Sequence, residues 1–219
     1  MIFINFKTYE QGSGPKAITI TKILEEVARE TQVKIVPVVQ IIDAEAVINS
    51  TTLEVWVQHV DPISYGPYTG WTLPEELVRI GIRGVFLNHS EHKFENWDDL
   101  VKAVARCKEV DLKTLVFAED LKNFKKILSL GSTYVAYEPP ELVGSVETSV
   151  SVEHADVVAQ AAQLAKNRGI PLIVGAGIHS KDDVKKSLEL GAVGVAVATD
   201  VVRAQDPKKE LLDLVEGFR

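Results

Sequence analysis

Apolar residues along this chain fall into short runs that alternate with stretches of helical period. Runs at 2–6, 33–39, 54–57, 84–88, 112–117, 133–137, 171–174 and 193–197 are rich in β-branched residues, as in VKIVPVV, LIVG and VGVAVA. Continuous rather than alternating apolar character marks strands covered on both faces, the habit of parallel sheets. Between the runs, amphipathic spacing predicts helices at 15–30, 44–49, 74–81, 97–110, 121–130, 152–167, 180–190 and 207–217. Pro15 near the first helix start, and Gly131 and Gly169 past two of the ends, punctuate them as expected. No linker, charge block or low-complexity stretch interrupts the series, so residues 1–219 read as a single domain.

Strict alternation of strand and helix leaves a closed barrel or an open doubly wound sheet. An open sheet gathers its ligand groups at one switch point. Here polar or small residues follow most strands: Asn5 and Lys7, Gln40, Gln58 and His59, Asn88 and His89, Glu119, Glu138, Gly175 and Gly177, and Thr199. That distribution favours a closed (β/α)8 barrel, whose mouth is built from many strand ends. The stretch 58–73, QHVDPISYGPYTGWTL, is longer than a plain connector, and loops of that length in compact domains usually serve a function.

Composition narrows the function classes. A net charge of −7 without a basic run gives nucleic acid and anionic membranes no electrostatic footing. No window approaches the roughly 18 apolar residues of a membrane span. The single Cys107 has neither a disulfide partner nor a metal-ligand companion at useful spacing, and the first residues do not read as a signal peptide. A cytoplasmic protein is expected. No HxH or HxxxH pattern converges on His89 to hold a metal, and the proton-abstraction chemistry that follows calls for neither a metal nor a cofactor.

The densest chemistry lies in AYEPPELVG, residues 136–144. Glu138 stands where a strand must stop, and the two prolines after it stiffen the backbone. Gly144, Ser145 and the small residues beyond suit a flap. Read alone, the stretch also fits a solvated loop whose glutamate is only a surface charge. Lys7 follows the first strand and would point over a barrel mouth, or else snorkel at the surface; Asn5, two residues earlier, shares its side of the strand. His89 precedes Ser90 and Glu91, which read as the opening of a helical turn. A helix N-terminus disfavours a positive ring and keeps the imidazole neutral. The small-residue turns at 175–177 and 198–199 follow the last two strands, where barrels commonly seat a phosphate. A carboxylate, a neutral histidine, a lysine and an anion cradle suit proton abstraction beside a carbonyl on a small phosphorylated substrate.

INFKTY, QHVDP with its YTGW, LNHSE, YEPPELVG, GAGI and the closing AxDP, in that order from Asn5 to Pro207, resemble triosephosphate isomerases in the short form typical of archaea. The resemblance implies a TIM barrel interconverting glyceraldehyde 3-phosphate and dihydroxyacetone phosphate, in glycolysis and gluconeogenesis. It implies Glu138 as base, His89 as electrophile and Lys7 as electrostatic clamp, with Glu91 supporting the lysine. Substrate contacts would fall on Asn5, Phe6, Lys7, Val143, Gly177, Ala198 and Thr199. The long loop after the third strand would reach into a second copy, giving a dimer or tetramer.

Three positions depart from the family pattern. GSV at 144–146 replaces GTG, which should stiffen the flap's trailing hinge without preventing closure. ATD at 198–200 replaces ASG, and brings a carboxylate near the phosphate seat unless Asp200 turns away to cap the following helix and pair with Arg203. FAED follows the fifth strand where the short form is more neutral. A barrel that binds a phosphorylated metabolite without turning it over draws on the first two departures, but has no use for Glu138. A glycosidase using Glu138 and Glu141 is poor, because carboxylates three residues apart on one loop can hardly flank a glycosidic bond.

Overall fold

The computed structural model describes residues 1–139 and 154–219. Eight parallel strands close in sequence order into a barrel: β1 (Ile2–Asn5), β2 (Ile35–Val39), β3 (Trp56–Val57), β4 (Gly84–Leu87), β5 (Lys113–Ala118), β6 (Tyr134–Tyr137), β7 (Leu172–Gly175) and β8 (Gly194–Val197). Pairing of β1 with β8, Ile2 opposite Val195, completes the ring. The described helices are α1 (Pro15–Thr31), α2 (Ile41–Ile48), α3 (Pro74–Arg79), α4 (Trp97–Glu109), α5 (Leu121–Ile127), α6 (Ala155–Asn167), α7 (Lys181–Glu189), α8 (Thr199–Val202) and α9 (Pro207–Glu216). Among the described residues, no helix is long and apolar enough to cross a membrane.

The alternation of side chains along each strand builds two cores. Phe3, Val36, Trp56, Phe86, Leu115 and Ile173 point inward and fill the barrel. Ile2, Ile4, Ile35, Val57, Val85 and Val116 point outward against the helices. Trp56 is fully buried and fits because Gly84, beside it across β3 and β4, has no side chain: a Cβ there would lie 2.1 Å from the indole. Size matching of this kind lets one large ring occupy a close-packed interior.

Boundaries move where burial or pairing overrides pattern. α2 begins at Ile41 rather than 44, directly after the extended Gln40, with Ile41 and Ile42 exposed in its first turn. β3 keeps only two residues, the pair that find ladder partners on both sides. A single 3-10 turn, Glu10–Gly12, precedes α1 and was not expected.

Glu25 ties α1 to the connection before β3. Its Oε1 accepts from the Thr52 N–H at 2.6 Å, the Thr52 hydroxyl at 2.8 Å and the Thr51 hydroxyl at 3.0 Å, while Lys22 donates to Oε2 at 2.9 Å. The Thr52 N–H, followed by Lys22, holds the carboxyl down to about 2. Such a group stabilises the fold above its unfolded-state value and loses that contribution as pH falls through its folded value. Glu25→Gln should therefore cost roughly 1–2 kcal/mol at neutral pH, from weakened charge-assisted hydrogen bonds. In urea unfolding, the difference should shrink steadily between the ordinary carboxylate range and about pH 2. A deficit independent of pH would show that the charge is not what Thr51 and Thr52 recognise.

Candidate active site

The C-terminal ends of β1, β4, β6, β7 and β8 surround one cavity lined by Asn5, Lys7, His89, Glu138, Gly177 and Thr199. Lys7 gets there through a turn rather than through strand alternation. β1 stops at Asn5, and Lys7 takes φ +48°, a left-handed conformation that costs a non-glycine residue roughly 1–3 kcal/mol and persists only where neighbours enforce it. Asn5 and Gln58 do so. Asn5 Oδ1 accepts from the Lys7 N–H at 3.0 Å, and Gln58 Nε2 donates to the Lys7 carbonyl at 2.9 Å and to Asn5 Oδ1 at 3.3 Å. The Lys7 side chain is only 12% exposed and its ammonium meets Glu91 at 2.7 Å. It is not a snorkelling surface lysine.

His89 is reached through Asn88, also left-handed at φ +61°, whose side chain donates to the Phe117 carbonyl at 3.1 Å. The expected helical opening at Ser90 and Glu91 is absent. The segment is a tight turn closed by His92 N–H donating to the His89 carbonyl at 2.8 Å, and α4 starts only at Trp97. The turn itself orients the ring. The Glu91 N–H donates to His89 Nδ1 at 3.1 Å, so Nδ1 is an acceptor and the hydrogen resides on Nε2. Phe117 packs its ring edge-on to the imidazole at 4.9 Å.

Glu138 continues one residue past β6, held by its N–H to the Ala118 carbonyl at 3.0 Å. Its side chain is buried and aimed into the cavity, with Oε2 3.1 Å from His89 Nε2 and 3.3 Å from Ser90 Oγ. Burial raises its pKa above the ordinary carboxylate value; the His89 and Lys7 sides of the cavity and the Ser90 hydroxyl pull the other way without cancelling it. A 13C titration of this carboxyl, assigned with Glu138→Gln, should give a midpoint above 4.5. Lys7→Met should move it further up, since a positive neighbour is lost. A downward move would mean that Lys7 does not act on this carboxylate.

The two turns assigned to a phosphate differ in how they are shaped. Ala176 at φ +76° and Gly177 at φ +63° fold the chain back after β7. After β8, Ala198 precedes α8 without a side-chain cap, leaving first-turn N–H groups of the kind that receive anions. The Thr199 hydroxyl is turned aside, 3.0 Å from the Tyr9 hydroxyl, so its side chain does not obstruct that face. Phe6 is not brought to the cavity: the strand's alternation sends it to the outer core, fully buried against the layer under the helices. Val143, together with Glu141 and the departures at 144–146, lies outside the described residues.

Asp200 neither caps the following helix nor pairs with Arg203. It lines the cavity, 3.0 Å by Oδ1 from His179 Nδ1, while the expected partner Arg203 lies 5.4 Å over the Tyr9 ring. Glu119 in FAED pairs with Lys93 and accepts from Asn123 at 3.2 Å, so its charge joins the β4 and β5 loops. His59 and His92 stack at 4.1 Å, and burial lowers the His59 pKa. The approach of Ser90 and Gly175 to Glu138 carries no signal in the sequence. Both emerge only when the closed barrel brings the ends of β4, β6 and β7 around one cavity.

Residues 1–217 match the family model described as triosephosphate isomerase. A triosephosphate isomerase of Methanobrevibacter smithii is 35% identical over 217 residues, covering 98% of this chain and 97% of that protein. One of Methanocaldococcus jannaschii is 33% identical over 218 residues, covering 99% of each chain. One of Metallosphaera sedula is 36% identical over 218 residues, covering 99% of this chain and 95% of that protein. With the barrel, the cavity at its C-terminal mouth and these full-length relatives in agreement, the chain belongs to the triosephosphate isomerase family.

Proposed function

We propose that the protein interconverts D-glyceraldehyde 3-phosphate and dihydroxyacetone phosphate through an enediolate. The observation that carries this is the facing pair at the cavity floor, His89 Nε2 and Glu138 Oε2 at 3.1 Å, with His89 Nδ1 already occupied by a backbone N–H. Glu138 takes the proton from the carbon beside the carbonyl and returns it to the neighbouring carbon. The neutral His89 donates Nε2–H to the oxygen on which charge develops, and serves both oxygens as the double bond moves. Lys7, fixed by Glu91 and by its turn, adds positive potential at the same oxygens. Fixed donors in a site screened from water supply most of the barrier reduction, because they need no reorganisation as charge forms. Asn5 supports Lys7 and faces the substrate. Phosphate would be held by backbone N–H groups at Gly177, Ala198 and Thr199, with Val143 from the flap.

Residues 58–73 present Tyr65, Tyr68 and Trp71 to solvent, apolar bulk that an isolated subunit gains nothing by exposing. A second copy of the chain is the occupant this favours, giving a homo-oligomer. The reaction fits a place in glycolysis and gluconeogenesis, with the cytoplasm as the compartment of this proposal. Conversion of glyceraldehyde 3-phosphate to dihydroxyacetone phosphate by the purified protein, followed in a coupled assay, tests the assignment. Saturable phosphate-ester binding without turnover would instead favour a non-catalytic binder.

A further inference from the structure

We propose that His179 is a positioning residue for phosphate recognition, holding the Asp200 carboxylate so that it does not oppose the anion. The proposal rests on the reading that this cavity takes a phosphorylated substrate. Asp200 is the second residue of α8, beside Ala198 and Thr199, and lines the same cavity as Gly177. Its side chain is 33% exposed, so burial does not fix it. What does fix it is His179. A carboxylate only accepts, so Nδ1 carries the hydrogen of the 3.0 Å contact to Oδ1. His179 Nε2 is buried with no hydrogen-bond partner among the described residues, so the ring has no second polar anchor. Arg203, three residues on along the helix, is engaged over Tyr9.

The main chain of His179 is held independently. Asp183 Oδ2 accepts from the N–H groups of His179 and Ser180, both at 3.1 Å, within the capping box that opens α7. Removing the imidazole therefore frees Asp200 without unravelling the turn. A carboxylate swung to ~6 Å from a unit of phosphate charge, at an effective dielectric near 20, would weaken binding by roughly a hundredfold. Screening at the partly open mouth reduces this to an expected factor of about ten.

The test is a double-mutant cycle on the full chain, read as KM against kcat, with inorganic phosphate as competitive inhibitor. His179→Ala should raise KM and the inhibition constant about tenfold, with kcat within about twofold. Adding Asp200→Asn should bring both constants back to within about threefold of the parent, because the charge is gone. His179→Gln, which keeps an N–H donor, should stay near the parent and guards against misfolding of the alanine variant. An unchanged KM in His179→Ala would overturn the proposal, as would a raised KM that Asp200→Asn does not restore, or a loss confined to kcat. A parent enzyme with no isomerase activity would instead remove the functional reading on which the cycle depends.

Discussion

Glu138→Asp should keep its substrate affinity and lose about a hundredfold in kcat. The substitution preserves the charge and removes one methylene, withdrawing the carboxylate by about 1.5 Å from the cavity. In the parent, Oε2 stands 3.1 Å from His89 Nε2 and 3.3 Å from Ser90 Oγ, and the aspartate would reach neither in the same pose. Two effects compete. Aspartate is intrinsically the weaker base by about 0.4 pK unit, which accounts for less than about a threefold loss. Misplacement of a reacting group by an ångström or more costs about a hundredfold, so geometry decides the outcome. The binding groups at Gly177, Ala198 and Thr199 are untouched, so KM should move little. Steady-state kinetics of the variant, with inhibition by inorganic phosphate as a binding control, separates the two constants. A kcat within about threefold of the parent would remove Glu138 as the base, since no general base tolerates that retreat.

The barrel is legible in this chain because its physics is local. The centres of the apolar runs, IVPVV at 35–39 and GVAV at 194–197, are buried on both faces, and the amphipathic stretches between them have one place to go. Boundaries are less so. Ile41 and Ile42 lie on α2 but face solvent, and an apolar pair directly after a strand gives no sign of where strand ends and helix begins. Lys7, His89 and Glu138 were visible as polar residues just beyond strands, and the cavity brings all three together. What orients the histidine was not visible. A turn and a helix start both open with Ser and Glu, and only the tertiary course of the chain selects the turn closed at His92. Phe6 shows the reverse failure. A neighbour of two site residues in sequence sits on the opposite face of the strand, and contiguity does not make it a contact. His179 and Asp200 are 21 residues apart and pair only because β7 and β8 are adjacent in the barrel.

Gly175→Ala should impair the enzyme as much as shortening the base, and through that base. A Cβ on Gly175 would lie 2.6 Å from Glu138 Oε1, where ordinary contact begins near 3.4 Å. Its φ lies outside the left-handed range, unlike that of Gly177, so alanine is accepted by the backbone and the whole effect is crowding at the carboxylate. Glu138 is hemmed in on its other side by His89 and Ser90, and relief requires the carboxylate to shift by nearly an ångström or to leave its rotamer. Either displacement costs about a hundredfold in kcat by the same geometric reasoning, whereas the cost to stability of one overpacked methyl is about 1–3 kcal/mol. Thermal unfolding therefore distinguishes a displaced base from a disrupted barrel. The double variant Gly175→Ala with Glu138→Asp supplies the sharper check. If the methyl acts by pushing the carboxylate, the shorter aspartate vacates the contested space, and the two losses should combine to well under their product. Fully multiplicative losses would mean that Gly175 affects the site by another route, and that its closeness to Glu138 is incidental.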